Sequence, residues 1–361
     1  MADEYHKKIF SKTKGSMNMC PERELELRKL HVLERPPYTP VKEFSRPAAG
    51  RQTDLSDLRP PHVLLKTMEY LIGDVLDRKD FPWKIIYNFI FDRIRAIRQD
   101  MVIQRVADET AVSILEQATR FHILSHHKLA GMPIEDFDPK INGIHTTECL
   151  KRLLVLYKHV FSRNRPEFES YYLLCNLDNT NALIHGLQLP KSVRVEVNYQ
   201  LSWKLALAYL HGNYVLFIRL LHRLPRLSLF AVVSYVRDMR IRALDVMNTA
   251  YSSQQCMFPI ADLNTILGFE ESEIKEFLAA HGLPVTSDFL KFHKGNRVDK
   301  TNSSSISASV SAFTNKFESC TLRDIVKGRD NMLASGGDNV KQWKGRGRGR
   351  GQLMAQPVGW R

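Results

Sequence analysis

The chain has 361 residues, of which 43% are hydrophobic, so it is long and apolar enough to form one large or two modest domains. No apolar run reaches the roughly 18 residues that a membrane span requires, and the five cysteines, scattered without metal-ligand or redox spacing, favour a reducing compartment. The net charge of +13 favours a polyanionic partner such as nucleic acid, although a basic chain can also be charged for solubility alone.

Residues 1–57 are predicted to be a largely disordered N-terminal segment. They are polar and include prolines at positions 21, 36, 37, 40 and 47. The first ten residues carry charges without a following apolar core, so they do not have the pattern of a secretory signal.

Helical periodicity dominates residues 58–237. Pro60 and Pro61 suit a helix start, after which apolar residues recur three and four positions apart. A pair of apolar helices within residues 192–225, joined by a Gly-Asn turn, is typical of tetratricopeptide hairpins. The fold is therefore predicted to be mainly α, with an irregular helical-repeat solenoid over this segment. Two of its long helices are predicted over about 83–104 and 109–129.

Residues 238–295 change character, since a helix, a short extended piece, two further helices and an alternating hairpin follow one another. This is the order of a winged-helix module. Its third helix carries Glu271, Glu273 and Glu276, which disfavours it as a reader of the DNA major groove. A protein–protein role is the favoured interpretation. The candidate nucleic-acid contacts in the predicted wing are Lys291 and Lys294.

The last segment, residues 296–361, is predicted to be a disordered tail, Ser-rich at first and then rich in glycine and arginine. Arg346, Arg348 and Arg350 in the tract "GRGRGRG" are candidate RNA contacts through charge and stacking. The alternatives are a solubilising tail or a substrate for arginine methylation.

The stretch "FDRIRAIRQDMVIQ", residues 91–104, places three arginines and an aspartate on one predicted helix. Arg93 and Asp100 lie on one edge of its apolar stripe, which favours a partly buried ion pair that acts as a structural lock. Arg95 and Arg98 project from the other side and are candidates for a partner surface or a phosphate contact. Catalysis is the least favoured interpretation of this cluster.

Evidence for an enzyme is weak in this sequence. His122 and His126 have the i, i+4 spacing of metal ligands, but only Glu116 lies on a similar face, so a semi-buried core histidine is favoured. There is no phosphate-binding loop, dinucleotide-binding glycine pattern or nucleophile elbow. We therefore expect no catalytic residues, no cofactor, no metal and no small-molecule substrate.

Seven stretches, taken together and in this order, resemble the SAC3/GANP family. They cover about residues 19–295, which makes the resemblance specific although each stretch alone is weak. The stretches are "MCPERELELR" (19–28), "EFSRPAAG" (43–50), "LRPPHVLLKTMEYL" (58–71), "FDRIRAIRQDMVIQ" (91–104), "RFHILSHHKL" (120–129), "FDPKIN" (137–142) and "ALAYLHGNYVLFIRLL" (206–221).

The resemblance implies a PCI-like fold, in which tetratricopeptide-like repeats end in a winged helix. It implies a scaffold of nuclear mRNA export that pairs with a second PCI-domain protein and a small acidic subunit, and binds nucleic acid. The chain resembles most the short, stand-alone members, which are associated with centrosome duplication and spindle progression. We therefore expect a location in the nucleus and cytoplasm, with the centrosome or spindle as the alternative.

Overall fold

The structure of the chain is a computed structural model. It describes residues 15–46, 54–253, 256–283, 285, 288–292, 309–315, 317 and 319–330. The prediction of a mainly α fold is confirmed, because the described residues form 15 α-helices and only two short strands. Within them, every helix is too short or too polar to span a membrane.

The first helices of the chain are α1 (Glu22–Leu27), α2 (Pro61–Tyr70), α3 (Trp83–Ile103), α4 (Glu109–Lys128) and α5 (Pro139–Leu156). Next come α6 (Arg165–Leu174), α7 (Thr180–Gln188), α8 (Lys191–Arg194), α9 (Val197–Leu210), α10 (Tyr214–Leu221) and α11 (Arg226–Ala250). The last are α12 (Ile260–Leu267), α13 (Glu271–Ala280), α14 (Ser311–Thr314) and α15 (Leu322–Val326), with strands β1 (Phe258–Pro259) and β2 (Phe289–Leu290). Short 3₁₀ turns occupy Val32–Glu34 and Leu55–Asp57, and a π-helical turn, Leu71–Val75, extends α2.

Local signals in the sequence set where the long helices begin. The Asp108 side chain accepts a hydrogen bond from the Ala111 backbone at the start of α4, and Asp138 caps α5 in the same way. Pro61 occupies the first position of α2, where its missing N–H has no intrahelical partner to lose. These helix starts agree with the sequence because each depends only on residues next to it.

Helix α4 lies at the centre of the larger core. It packs against α2, α5, α11 and α15, and opposite sides of the helix contribute fully buried side chains such as Ile114 and Thr119. The predicted hairpin is formed by α9 and α10. Gly212 reverses the chain with φ +65°, and the Asn213 side chain caps α10.

Helix α11 runs without interruption across the predicted boundary at residues 237 and 238. Its side chains up to Met239 belong to the larger core, while those from Ile241 onward belong to a second, smaller core. We call this the small core; it also contains α12, α13 and the strands. The two strands pair antiparallel, with Phe258 opposite Leu290.

The prediction of a largely disordered N-terminal segment is wrong for residues 15–46. We call these residues the N-terminal strap, because they lie across the larger core and bury Cys20, Leu33 and Val41 almost completely. The segment has few apolar residues, but they pack well, and its charged groups find partners on α3. Low hydropathy alone therefore did not indicate disorder here.

The prediction of a disordered tail is wrong in the same way for the described residues 309–315, 317 and 319–330, which we call the C-terminal segment. Phe313, Ile325 and Val326 are buried in the larger core. Asp77 accepts hydrogen bonds from the backbone N–H groups of Leu322 and Arg323 and so caps α15. This C-terminal segment is therefore part of the folded body.

Candidate functional site

The arginine-rich stretch 91–104 lies within α3, and its two predicted lock residues are both buried. Arg93 is 3% exposed and Asp100 is 0% exposed. No hydrogen bond or ion pair joins them to each other, so the predicted Arg93–Asp100 pair is wrong. Seven residues advance a helix by about 10.5 Å, which is too far for a direct contact. Asp100 is paired with residues outside α3. Arg93 is paired with residues outside α3 and with its neighbour in the helix, Asp92.

Asp100 is held by two cations from different segments. Its Oδ1 accepts a hydrogen bond from Lys42 Nζ at 2.8 Å, and its Oδ2 accepts one from Arg59 Nε at 2.8 Å. Arg59 is also fully buried, and Lys42 donates a further bond to the carbonyl of Asp57. Lys42 belongs to the N-terminal strap and Arg59 directly precedes α2, so their bonds to Asp100 fix both segments against α3. Removal of one partner would leave a buried charge unpaired.

Arg93 is held by carboxylates of the N-terminal strap and of α3 itself. Its Nη2 donates to Glu34 at 3.1 Å and to Glu43 at 3.0 Å, while its Nη1 donates to Asp92 at 2.6 Å. Glu34 also receives two bonds from Arg28, at 2.7 and 2.9 Å. Two parallel hydrogen bonds from one guanidinium to one carboxylate make a strong and directional contact.

Glu34 is fully buried and stays ionised in this environment. Burial by itself raises the pKa of the carboxyl, but the hydrogen bonds from Arg28 and from the backbone N–H of Val41, with the charge of Arg93 and the N–H of His31, lower it to about 2. The Glu34 carboxylate therefore accepts hydrogen bonds both from Arg28 of the strap and from Arg93 of α3. We call the whole arrangement the charge network: Arg28, Glu34, Lys42, Glu43, Arg59, Asp92, Arg93 and Asp100.

Arg95 and Arg98, the predicted partner surface, are both engaged within the chain. The Arg95 guanidinium lies 3.8 Å from the centre of the Phe44 ring. Arg98 donates to Glu148 at 2.7 Å and to Nδ1 of His145 at 3.0 Å. Glu148 and His145 of α5 therefore already engage Arg98, and a contact of Arg98 to a partner stays a prediction. For Arg95, a contact to a partner stays a prediction.

The histidine pair of α4 is not arranged as a metal site. His122 is fully buried with its Nδ1 3.0 Å from Asn142 Oδ1, and burial lowers its pKa to about 3. His126 lies against the ring of Phe137 instead. Glu116 binds residues of the loop after α5. In the residues that the structure describes, no three histidine, cysteine, aspartate or glutamate side chains are grouped to hold a metal ion.

A polar cavity of about 300 Å³ opens between α2, α4 and the C-terminal segment. Its basic and acidic side chains are mixed, and the Arg120 guanidinium is already bound by Glu167 at 2.8 Å. This mixture gives the cavity no preference for an anion or a cation. The lining residues are Glu69, Ser113, Glu116, Gln117, Arg120, Asn164, Lys327 and Arg329.

Arg240 joins the small core to the C-terminal segment. It is fully buried and donates to the carbonyls of Leu267 at 2.9 Å and Ser309 at 2.7 Å, with its guanidinium 3.6 Å from the centre of the Phe269 ring. Burial lowers its pKa to about 9. Sequence reasoning missed this residue; its only signal was a charge at an apolar position of a helix.

Of the predicted nucleic-acid contacts, Lys291 is exposed directly after β2. Lys294 and the tail arginines Arg346, Arg348 and Arg350 lie outside the residues that the structure describes. The role of these five cations in binding nucleic acid therefore stays a prediction.

Comparison with protein families gives a match between residues 19–287 and the model of the SAC3/GANP family. The chain belongs to the SAC3/GANP family. The match includes most of the N-terminal strap, the larger core without its C-terminal segment, and most of the small core.

Relatives within the SAC3/GANP family come from yeast, insects and plants. SAC3 family protein 1 of Schizosaccharomyces pombe is 30% identical over 308 residues, which span 75% of this chain and 30% of the relative. Protein xmas of Drosophila melanogaster is 30% identical over 314 residues, or 77% of this chain and 15% of the relative. SAC3 family protein B of Arabidopsis thaliana is 28% identical over 264 residues, or 68% and 15%. The chain thus spans less than a third of each of these relatives.

The structure gives the SAC3/GANP-like stretches a physical reason. Arg28 ends the first stretch, Glu43 begins the second and Arg59 lies in the third, while Arg93 and Asp100 belong to the fourth. These side chains form two groups of the charge network, Arg28 and Glu43 around Arg93 and its partner Glu34, and Arg59 with Asp100. Sequence reasoning found these stretches but missed that they bind one another, because nothing local to each stretch names its distant partner.

Proposed function

We propose that this SAC3/GANP chain is a non-enzymatic scaffold of the PCI type that serves nuclear mRNA export. Its partners are a second PCI-domain protein and a small acidic subunit, with RNA as a further ligand. The observation that carries the proposal is the family match over residues 19–287, which includes both the helical body and the small core. Two of the relatives bear the SAC3 family name.

The small core is proposed to be a winged helix that presents the partner-binding surface. Its elements follow in the order α11, β1, α12, α13 and β2, and its two strands pair antiparallel. This is the order of a winged-helix module, although each strand is only two residues long. Continuity through α11 attaches the module firmly to the helical body.

A protein partner fits this module better than a DNA major groove. Glu276 of α13 is exposed, and Lys275 lies near Asp288 on the same side. Glu273 accepts hydrogen bonds from Ser309 at 2.7 Å and Ser311 at 3.0 Å, so the C-terminal segment covers part of α13. An acidic and partly covered helix is poorly suited to phosphate contacts.

The strand pair also exposes apolar side chains. Met257 is 56% exposed next to β1, and Phe289 is 42% exposed in β2. Apolar and aromatic side chains of this kind are enriched in the centres of protein interfaces. We therefore assign the second PCI-domain protein to this edge of the small core.

The test is affinity purification of the tagged full chain from cell extract, with and without ribonuclease, followed by mass spectrometry. We expect a PCI-domain protein and a small acidic subunit that stay bound after ribonuclease treatment. Met257→Glu is expected to lose both, while Ile134→Glu, which changes a similarly exposed residue far from the small core in sequence, keeps them. Recovery of centrosomal or tubulin-associated proteins without a PCI partner would overturn the proposal.

A further inference from the structure

A second basic region lies at the end of α5 and in the loop that leads into α6. No aspartate or glutamate occurs between Glu148 and Glu167, while this stretch contains five lysines and arginines. Four of these cations are exposed, and an aromatic residue lies among them. We call this region the basic corner: Lys151, Arg152, Lys158, Phe161 and Arg163.

The four exposed cations have no counter-charge in the part of the chain that the structure describes. No ion pair or side-chain hydrogen bond of Lys151, Arg152, Lys158 or Arg163 is formed there. Arg165 is different, because it donates to Glu169 at 3.2 Å and to the carbonyl of Tyr157 at 3.1 Å. The basic corner therefore has charge available for an external anion.

Two of the cations, Lys151 and Lys158, also share one face. Lys151 and Val155 are four residues apart and Val155 and Lys158 are three apart, which places them in one row along the helix. The helical turns continue past the end of α5, since the N–H of Lys158 donates to the carbonyl of Val155. Val155 is 49% exposed, so the row is accessible along its length.

Phe161 is the unusual member of the basic corner. It is 84% exposed, more than any other large apolar side chain in the described residues. Leaving a phenylalanine in water forgoes the free energy that its burial would release. A flat ring held outward among cations is the arrangement on which an unpaired base stacks.

The loop around Phe161 is fixed by one buried carboxylate. Glu116 is 5% exposed and accepts hydrogen bonds from the Tyr157 hydroxyl at 2.9 Å, the Ser162 hydroxyl at 2.6 Å and the Asn164 amide at 2.7 Å. These contacts lie on both sides of Phe161. The ring is thus presented by an ordered loop, which lowers the entropy lost when a ligand binds.

We propose that the basic corner binds single-stranded RNA. One base stacks on Phe161, and the phosphates on either side contact Lys158 and Arg163, with Lys151 and Arg152 further along α5. A duplex does not fit, because its bases are already stacked on one another. This site is separate from the partner-binding surface of the proposed scaffold, because it includes no residue of the small core or of the tail. Only the choice of RNA over DNA rests on the proposed export role.

The test measures RNA affinity of the full chain by fluorescence anisotropy, with a labelled oligouridine of about 20 nucleotides. All proteins carry Arg346→Ala, Arg348→Ala and Arg350→Ala, so that the tail does not contribute. We expect Phe161→Ala to weaken binding about tenfold, since base stacking on an aromatic side chain has that magnitude. Phe161→Tyr keeps the ring and is expected to keep the affinity.

A second pair of variants separates charge from stacking. Lys158→Ala combined with Arg163→Ala is expected to reduce the slope of log affinity against log salt by about 1.4, or about 0.7 for each cation removed. Lys191→Ala combined with Arg194→Ala, which removes two exposed cations elsewhere, leaves the affinity unchanged. Unchanged melting temperatures show that the effects are not caused by unfolding.

Three outcomes would overturn the proposal. They are unchanged RNA affinity in both basic-corner variants, binding of an RNA duplex as tight as that of the single strand, and displacement of the RNA by polyglutamate of equal charge. The last would indicate an acidic protein surface as the ligand. Capture of the PCI partner is expected to be unaffected by Phe161→Ala, so failure of this site and failure of the scaffold proposal give different results.

Discussion

The charge network around α3 and the basic corner after α5 are both rich in arginine and lysine, yet they have opposite surroundings. In the charge network, Arg93 and Arg59 are buried and each meets a carboxylate within 3.1 Å. In the basic corner, Lys158 and Arg163 are exposed and meet no carboxylate among the described residues. The difference lies in the counter-charges. The N-terminal strap and α3 supply carboxylates to the first region, and none of the described residues supplies one to the second.

This comparison shows that the density of arginine does not by itself indicate a binding surface. The stretch 91–104 is the more conspicuous of the two in sequence, but its charges are satisfied within the chain. Where a cation is already paired, an external phosphate has to compete with a protein carboxylate. The predictions below start from this contrast between groups that stabilise the fold and groups that are free to bind.

The largest expected effect is on the free energy of unfolding when the charge network loses Asp100. Asp100→Ala leaves Arg59 and Lys42 buried without their counter-charge, so we expect a loss of about 3–5 kcal/mol. Chemical denaturation of the purified chain measures it. Glu135→Ala, which removes an exposed carboxylate, is the control and is expected to change stability by less than about 0.5 kcal/mol.

Two phenylalanines provide the next comparison. Phe313 of the C-terminal segment is 1% exposed and packs against the ring of His222, so Phe313→Ala is expected to cost about 3–5 kcal/mol. Phe161→Ala is expected to leave the unfolding free energy within about 0.5 kcal/mol of wild type. Similar losses for both variants would mean that the loop after α5 is buried by a contact other than those described.

Arg93 and Arg95 of α3 are also expected to differ in how much each stabilises the fold. Arg93→Ala leaves Glu34 with a buried charge only partly compensated by Arg28, and we expect a loss of about 3 kcal/mol. Arg95→Ala removes a stacking contact with Phe44, for which about 0.5–1 kcal/mol is expected. Equal melting temperatures for the two variants would remove the distinction between a locked and a surface arginine.

The smallest expected effect concerns acid sensitivity. Burial, with smaller contributions from His126 and Lys128, lowers the pKa of His127 from 6.5 to about 4. The unfolded chain then binds the proton more readily, so stability is lost as the pH falls from about 6.5 towards 4. His127→Phe keeps the stack on Phe230 and removes this titration.

Denaturation at a series of pH values checks the last prediction. The stability of His127→Phe is expected to vary less between pH 6.5 and 4 than that of wild type. Glu34 acts in a lower window, because its lowered pKa means that its contribution is lost only as the pH falls from about 4.5 towards 2. An identical pH dependence in wild type and variant would contradict the role assigned to His127.

The long helices were largely predictable from the sequence, because their signals are local. Helix α3 was expected over about 83–104 and is found at Trp83–Ile103, and α4 was expected over about 109–129 and is found at Glu109–Lys128. The apolar stripe of each helix lies within the helix itself, and Asp108, which caps α4, directly precedes it. The family was predictable for a similar reason, since its stretches are read directly from the chain.

The contacts of the charge network and of the loop around Phe161 were not predictable in this way. Lys42 and Asp100 are 58 residues apart in sequence, and Glu34 and Arg93 are 59 apart, so no local pattern connects them. The exposure of Phe161 depends equally on Glu116, which is 48 residues from Asn164. The order of the N-terminal strap and the availability of the basic corner both follow from these distant pairings.

The most direct test of the contrast between the two regions is hydrogen–deuterium exchange of the full chain with and without single-stranded RNA. We predict slower exchange of the backbone amides in peptides that cover residues 151–165, and unchanged exchange in those that cover α3. Slower exchange in α3 with none at the end of α5 would contradict the assignment, because it would place the ligand on the arginines that the N-terminal strap already holds.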